Sequence, residues 1–201
     1  MVDLSPYQGI VFDMDGTLID SMGAHAKAWQ QTCEHFGCPY DGEYIHNLGG
    51  VPTRAIVVLL NAKYGLNLDP DAVTETKRQA FITLDDKPSV IAATFAVMQR
   101  YHGQLKMGVG TGSDRQNAMQ VLQQTGLLSK LDTVVTASDV SLGKPHPETF
   151  LAVASNMGIA PQHCVVFEDT EIGRQAAHNA GMDCIMVSLG EIQLPILKPK
   201  V

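Results

Sequence analysis

The chain lacks the features that mark membrane, secreted and nucleic-acid-binding proteins. No apolar run reaches the length of a membrane span, and the stretch from Met1 to Gln8 has neither the basic start nor the apolar centre of a secretory signal. Lysine and arginine form no cluster, and the formal net charge is −7, which disfavours a phosphate-backbone partner. We therefore expect a cytoplasmic protein that binds neither membranes nor nucleic acids, as a monomer or weak dimer.

Cysteine is also scarce. The chain has four cysteines, with no Cys-x-x-Cys pair: Cys33, Cys38, Cys164 and Cys184. Scattered cysteines of this kind favour reduced, structural side chains over a metal site or a redox centre.

The sequence that remains is typical of a globular α/β protein. Its 201 residues, 45% of them hydrophobic, are enough for a full core. Between residues 20 and 85 the apolar pattern is helical, with helices predicted over 24–36, 53–64 and 70–83.

From residue 87 onwards, strands and helices alternate. Helices are predicted over 88–101, 115–125, 147–157 and 172–180, and strands over 106–109, 133–137, 164–167 and 184–187. Repeated strand–helix units indicate a Rossmann-like parallel sheet covered by helices on both faces. The apolar strand at 10–12 belongs with this half, so we predict a core domain of residues 1–19 and 86–201, with a helical domain of residues 20–85 inserted after the first strand.

Two carboxylates follow that first strand. Asp13 and Asp15 come directly after Ile10–Phe12, and Gly16 is a turn residue placed where the strand must end. Alternate strand residues point to the same side, so the two carboxylates can converge at the sheet edge where open parallel sheets bind ligands. A calcium loop is excluded, because it needs a bidentate glutamate late in a twelve-residue loop, and the residues after Gly16 are Thr-Leu-Ile-Asp-Ser-Met-Gly-Ala.

Glycines and hydroxyls follow the strand at 106–109. Thr111, Gly112 and Ser113 lead directly into a helix, where backbone N–H groups and a hydroxyl suit a phosphate. A dinucleotide fingerprint is disfavoured, because the third glycine at the required offset is missing and no acidic residue ends a strand about twenty positions later.

Two further strand ends complete the pattern. Lys144 precedes a proline, which restricts its backbone to extended geometry and fixes its direction, although a solvated loop lysine remains an alternative. Glu168 and Asp169 follow a buried strand, and adjacent acids in such a place repel each other unless a cation or a proton intervenes. A metal ion is the simplest explanation.

Taken in order, Asp-x-Asp-Gly-Thr, Thr-Gly-Ser, Gly-Lys-Pro and Glu-Asp end successive strands over nearly the whole chain. This series resembles the haloacid dehalogenase-like hydrolases, and the helical insertion resembles the α-helical cap of their β-phosphoglucomutase-like group. The segments 109–113 and 162–169 and the pair Ala28-Trp29 are similar to bacterial sugar phosphatases of the fructose-1-phosphatase type, which also take 6-phosphogluconate.

The resemblance implies a magnesium-dependent phosphatase. Asp13 matches the nucleophile that forms an aspartyl-phosphate, and Asp15 matches the general acid and base, which nearby like charges would help to keep protonated at first. Mg²⁺ would be held by Asp13, the main-chain oxygen of Asp15, and Asp169, with Glu168 binding directly or through water.

The phosphoryl group has its own predicted partners. The resemblance implies that Thr111 and the amides of Gly112 and Ser113 hold its oxygens, and that Lys144 pairs with both the phosphoryl group and Asp13.

The cap is expected to select a small phosphorylated metabolite. His25 faces the site in the resembled group, and Arg54 is placed to reach a substrate phosphate or carboxylate. Both have simpler explanations, because His25 and Trp29 are i,i+4 neighbours that could merely pack together and Arg54 could be a surface residue.

Two other functions use the same motifs. A β-phosphoglucomutase-like enzyme would return the phosphoryl group, but such mutases grip the second phosphate with a lysine–asparagine pair where this chain has Asp114 and Arg115. A non-catalytic sugar-phosphate sensor would be expected to carry a damaged motif, and all four motifs are intact.

Overall fold

A computed structural model describes residues 2–85 and 88–199. Its strands, in chain order, are β1 (Gly9–Phe12), β2 (Ile19–Asp20), β3 (Ser89–Val90), β4 (Lys106–Gly110), β5 (Thr133–Val135), β6 (Cys164–Glu168), β7 (Asp183–Ser188) and β8 (Glu191–Ile192). Its α-helices are α1 (Met22–Phe36), α2 (Gly42–Asn47), α3 (Thr53–Tyr64), α4 (Pro70–Thr83), α5 (Ala92–Tyr101), α6 (Arg115–Gln124), α7 (Glu148–Met157) and α8 (Glu171–Asn179).

The core is one six-stranded sheet in the order β5-β4-β1-β6-β7-β8. Neighbouring strands from β5 to β7 are parallel, and β8 pairs antiparallel with β7. The chain runs outward from β1 in both directions, through β4 to β5 on one side and through β6 to β7 on the other. This reversal of strand order beside β1 is the place where open α/β sheets bind their ligands.

Residues of β1 alternate between two hydrophobic clusters, one on each face of the sheet. Ile10 and Phe12 pack with Met98 of α5 and with residues of α6, whereas Val11 packs with Phe150 of α7 and with residues of α8. Side chains on a strand point alternately to its two faces, so a strand that is apolar throughout must be covered on both sides. The predicted parallel sheet with helices on both faces is confirmed.

The four helices between β2 and β3, which we call the cap, have a core of their own. Trp29, Ile45, Val57 and Leu60 are buried together there. The chain leaves the sheet through β2 and returns through β3, and these two strands pair antiparallel with Ile19 opposite Val90.

The helix ends follow from local signals. Asp69 caps α4 by accepting hydrogen bonds from the first-turn amides, and Pro70 occupies the first helical position, where its missing N–H costs nothing. At the end of α1, Gly37 adopts the left-handed conformation, with φ of 63°.

Several predicted bounds differ from the structure. The predicted helix 88–101 begins only at Ala92, because Ser89 and Val90 form β3 with a partner far back in the sequence. The predicted strand 133–137 ends at Val135, since Thr136 caps a short 3₁₀ turn. The helix α2 and the strands β2 and β8 were not predicted from the sequence.

The division into a core domain and a cap domain remains a prediction. Its boundary at residue 86 and the outermost residues 1, 200 and 201 lie outside the described residues. None of the described helices is long and apolar enough to cross a lipid bilayer.

Candidate active site

The carboxyl ends of β1 and β4 open onto a cavity of about 90 Å³ between the core and the cap. The core wall includes Asp13, Asp15, Thr111, Gly112 and Ser113. The cap wall includes Met22, His25, Trp29, Tyr40, Ile45, Gly50, Ile56 and Lys77.

Lys144 joins two carboxylates at the base of the site. Its Nζ lies 2.6 Å from Asp13 Oδ1 and 2.8 Å from Glu168 Oε1, and all three residues are at most 3% exposed. Burial opposes the charged form of Lys144, but the charges of Asp13 and Glu168 outweigh it and raise the pKa of the lysine above its usual value. Lys144 is therefore a fixed positive charge beside Asp13.

Glu168 is held in place from its other side. Its Oε2 accepts hydrogen bonds from the Thr170 amide at 2.6 Å and the Thr170 hydroxyl at 2.9 Å. The same hydroxyl caps α8 by accepting from the Gly173 amide at 3.0 Å. The start of α8 thus orients the Glu168 carboxylate towards Lys144.

The position of the Asp169 carboxylate requires a glycine at residue 16. Asp169 Oδ1 accepts a hydrogen bond from the Thr17 hydroxyl at 3.2 Å. Gly16 has φ of 85°, and a Cβ at this position would overlap the Asp169 carboxylate. Gly16 is required both by its backbone conformation and by this close approach.

Three of the predicted metal ligands lie together. Oxygens of Asp13, Glu168 and Asp169 all lie within 4.8 Å of one another. Burial raises the pKa of Asp13 well above its usual value, the Glu168 and Asp169 charges add to the rise, and Lys144 opposes it. Burial and the Glu168 charge raise the pKa of Asp169 to about 7. Two buried carboxylates and the partly buried Asp169 share one ammonium, which leaves an excess of negative charge, and such hard oxygen donors suit Mg²⁺.

Asp15 points away from this cluster. Its carboxylate lies 2.6 Å from the Ser21 hydroxyl, 2.7 Å from the Ser113 hydroxyl and 3.0 Å from His25 Nε2. Burial works against ionisation, but His25 and the two hydroxyls outweigh it and lower the pKa of Asp15. The expectation that neighbouring like charges keep Asp15 protonated is therefore wrong for this arrangement, because three hydrogen-bond donors surround the carboxylate.

His25 connects Asp15 to a buried lysine of the cap. Its Nδ1 lies 2.7 Å from Lys77 Nζ, and Lys77 is only 7% exposed. Burial and the Lys77 charge lower the pKa of His25, and burial lowers the pKa of Lys77 to about 8. The hydrogen bonds assign a neutral imidazole that donates from Nε2 to Asp15 and accepts at Nδ1 from the Lys77 ammonium.

The predicted phosphate-binding segment, residues 111–113, directly follows the carboxyl end of β4. The Ser113 amide donates to the Thr111 hydroxyl at 3.0 Å, and the Thr111 amide donates to the Val135 carbonyl. A Cβ on Gly112 would overlap the main-chain carbonyl of Gly50, which belongs to the cap. The absence of a side chain at Gly112 lets the cap loop rest directly on the core.

The structure brings Arg54 neither to the cavity nor to the group of charged side chains around Asp13. Arg54 Nε lies 2.7 Å from Asp71 Oδ1, and both side chains are more than half exposed. Its predicted contact with the substrate remains a prediction.

Two residues that hydrogen-bond to the Asp15–His25 pair, Ser21 and Lys77, were not singled out from the sequence. Ser21 carries no signal of its own, but Lys77 does. Val73, Lys77 and Phe81 recur every four residues, so Lys77 interrupts the apolar face of α4. A lysine on the buried face of a helix is a candidate functional residue.

Comparisons with known proteins agree with this geometry. The model of the haloacid dehalogenase-like hydrolase family matches residues 10–187. The fructose-1-phosphate phosphatase YqaB of Escherichia coli is 39% identical over 183 residues, which cover 91% of this chain and 97% of that protein. A phosphorylated carbohydrates phosphatase of Thermotoga maritima is 31% identical over 89% of this chain and 84% of its own length.

Solved structures point the same way. The crystal structure of a β-phosphoglucomutase from Clostridium difficile superposes with a TM-score of 0.82 at 25% identity, covering 90% of this chain and 85% of that one. The resemblance seen in the four strand-end motifs is confirmed, and the chain is an enzyme that belongs to the haloacid dehalogenase-like hydrolase family.

Proposed function

We propose that this hydrolase is a magnesium-dependent phosphatase that cleaves small sugar phosphates, of the fructose 1-phosphate or 6-phosphogluconate type, through an aspartyl-phosphate on Asp13. The observation that carries the proposal is the pairing of buried Asp13 with Lys144 beside Glu168 and Asp169, with Asp13 and Asp15 lining the same cavity. The two phosphatases described above, from Escherichia coli and Thermotoga maritima, are named for phosphorylated sugars, which supports the same substrate class.

The metal would be held by Asp13, Asp169 and the main-chain oxygen of Asp15, with Glu168 direct or through water. When bound, Mg²⁺ supplies positive charge that lets a phosphate dianion approach these carboxylates. The excess of buried negative charge around Lys144 supports this assignment.

In the first step, a carboxylate oxygen of Asp13 attacks phosphorus and the bond from phosphorus to the sugar oxygen breaks. Asp15 would protonate the departing oxygen, having taken up a proton as the incoming phosphate raises its pKa. Lys144 neutralises part of the charge on the transferring group, and Thr111 with the Gly112 and Ser113 amides holds its oxygens.

In the second step, water attacks the phosphorus of the aspartyl-phosphate, and Asp15 accepts the proton from that water. The bond between Asp13 and phosphorus breaks, which restores the free carboxylate and releases inorganic phosphate. The three donors that lower the pKa of Asp15 keep its carboxylate ionised when no substrate is bound.

Two observations support hydrolysis over phosphoryl return to a second sugar position. Asp114 caps α6 by accepting from the Asn117 amide, and Arg115 pairs with Asp139 on the surface. These residues stand where the resembled mutases bind a second phosphate, and both are engaged elsewhere. The cytoplasmic location and the monomeric or weakly dimeric state remain predictions.

A panel of phosphorylated metabolites tests the proposal. Purified enzyme, with Mg²⁺ and with the metal removed by a chelator, should release inorganic phosphate from fructose 1-phosphate or 6-phosphogluconate only when Mg²⁺ is present. Asp13→Asn serves as the inactive control. Interconversion of glucose phosphates without free phosphate would instead establish a mutase, and an inert sample across the panel would contradict catalysis altogether.

A further inference from the structure

Two thiols meet where the first cap helix ends. Gly37 is left-handed, its amide donates to the Glu34 carbonyl, and the Cys38 amide donates to the Cys33 carbonyl at 3.0 Å. This pair of hydrogen bonds is the Schellman motif, in which the side chains at the positions of Cys33 and Cys38 contact each other. In most proteins that contact is between two apolar side chains.

The chemistry of Cys33 is consistent with this contact. Burial raises the pKa of the Cys33 thiol to about 12, and the neighbouring Cys38 thiol adds to the rise. A thiol held neutral by burial gains no stabilisation as a thiolate. In strongly oxidising disulfides, the reduced form is stabilised because one thiol is held as a thiolate. The reduced form of the Cys33–Cys38 pair lacks this stabilisation.

Access to the pair is one-sided. Cys33 is 1% exposed within the core of the cap, whereas Cys38 is only partly buried at its edge. The other two cysteines, Cys164 and Cys184, are buried against the sheet in a separate cluster. A reagent in solution thus meets Cys38 first.

We propose that Cys33 and Cys38 are a redox site that closes to a reversible disulfide when the protein meets a low-molecular-weight disulfide such as oxidised glutathione. The Cys38 thiolate attacks one sulfur of the oxidant, and the other sulfur leaves as a thiolate. Cys33 then loses its proton and attacks the Cys38 sulfur of the mixed disulfide, which releases the second small thiol. Two protein thiols are oxidised and one disulfide is reduced to two thiols.

This inference does not depend on the proposed phosphatase activity. It departs from the sequence-based interpretation of the cysteines as structural, because the fold brings two of them into one helix ending. The bridge would join the helix that carries Trp29 to the segment that carries Tyr40, and both side chains line the cavity.

The full-length protein offers a direct readout. Trp29 is the one tryptophan in the chain and lies one helical turn from Cys33, within the same cluster, and disulfides quench indole fluorescence. After incubation with oxidised glutathione, titration of the denatured protein with a thiol reagent should show that the four thiols have fallen to two. Trp29 fluorescence should fall in parallel, and dithiothreitol should restore both signals.

Serine variants define the site. Cys38→Ser should show neither the loss of a thiol pair nor the quenching, whereas Cys184→Ser should lose two thiols and be quenched like the wild type. Peptide mapping should recover a link between Cys33 and Cys38. The proposal is overturned if the wild type keeps all its thiols, if Cys38 stops at a stable glutathione adduct, or if Cys38→Ser responds like the wild type.

Discussion

The two walls of the cavity are built on different principles. The core wall carries Asp13, whose carboxylate pairs with the buried Lys144 that also holds Glu168. The cap wall is mainly apolar, and its charged group, Lys77, reaches the chemistry only through His25. The difference indicates that the core supplies the reaction, while the cap excludes water, shapes the substrate site and adjusts Asp15.

The core wall should tolerate the least change. Asp13→Asn removes the nucleophile while keeping its shape, so kcat for phosphate release should fall by at least about 10⁴-fold. Circular dichroism and thermal unfolding provide the control for folding. Retention of more than a few per cent of wild-type turnover would show that Asp13 is not the attacking group.

Asp15 lies between the two walls and should have the next largest effect. Asp15→Asn should lower kcat for sugar phosphates by about 10²- to 10⁴-fold, the contribution of general acid–base catalysis. With p-nitrophenyl phosphate, whose leaving group needs no proton, we expect a rapid burst of p-nitrophenol followed by slow turnover. Equal losses in both steps, with no burst, would argue against Asp15 as the acid and base.

The contact between the walls can be broken without touching a charge. Gly112→Ala keeps the amide but places a Cβ against the Gly50 carbonyl, so the cap loop cannot pack directly on the core. We expect kcat/KM for sugar phosphates to fall by about 10²-fold. Gly23→Ala in α1 is the matched control, since a Cβ there meets nothing within 4 Å. It should leave activity unchanged and stabilise the protein by about 0.5–1 kcal/mol.

Lys77 should give the smallest effect and a pH signature. Lys77→Met removes the hydrogen bond to His25, and kcat should fall by about 10-fold. Because the pKa of Lys77 is about 8, wild-type kcat should decline above that pH as the donor proton is lost, and the variant should lack this limb. His25, Asp15 and Asp114 are the other titratable groups near this ammonium.

Lys77→Met should lower kcat but raise the stability of the folded protein. The pKa of Lys77 is lowered on folding from 10.5 to about 8, so the unfolded chain binds more protons between those values and stability rises with pH across that window. Below pH 8 the full cost of burying the ammonium is present, and Lys77→Met should be more stable there by up to about 3 kcal/mol. Chemical denaturation at pH 7 and pH 10 measures this difference, which should shrink at the higher pH.

Most functional residues of the core could be predicted from the sequence, because they lie at the ends of short apolar strands. A short apolar strand followed at once by Asp13, Thr111 or Glu168 is visible in a few residues, and parallel strands must bring their ends to one edge. The parallel sheet and the meeting of the acidic side chains both followed from that rule.

The cap wall could not be predicted in the same way. The direction of Arg54 depends on Asp71, which lies on another helix, and Lys77 meets His25 only after α1 and α4 pack together. The six residues of α2 are too few to show a helical period, and β3 exists only because β2 pairs with it. These features come from tertiary contacts, which local patterns do not contain.

The antiparallel pair of β2 and β3 has a consequence for how such an enzyme could be rebuilt. The segments that lead into and out of the inserted helices, β2 and β3, are hydrogen-bonded to each other. The Ile91 amide also donates to the Leu18 carbonyl at 2.9 Å. A short turn could span the same gap, so the sheet does not rely on what stands between those strands. Exchanging the insert for another of different shape is therefore a route to new leaving groups, provided that the new insert supplies a hydrogen-bond donor to Asp15 in place of His25.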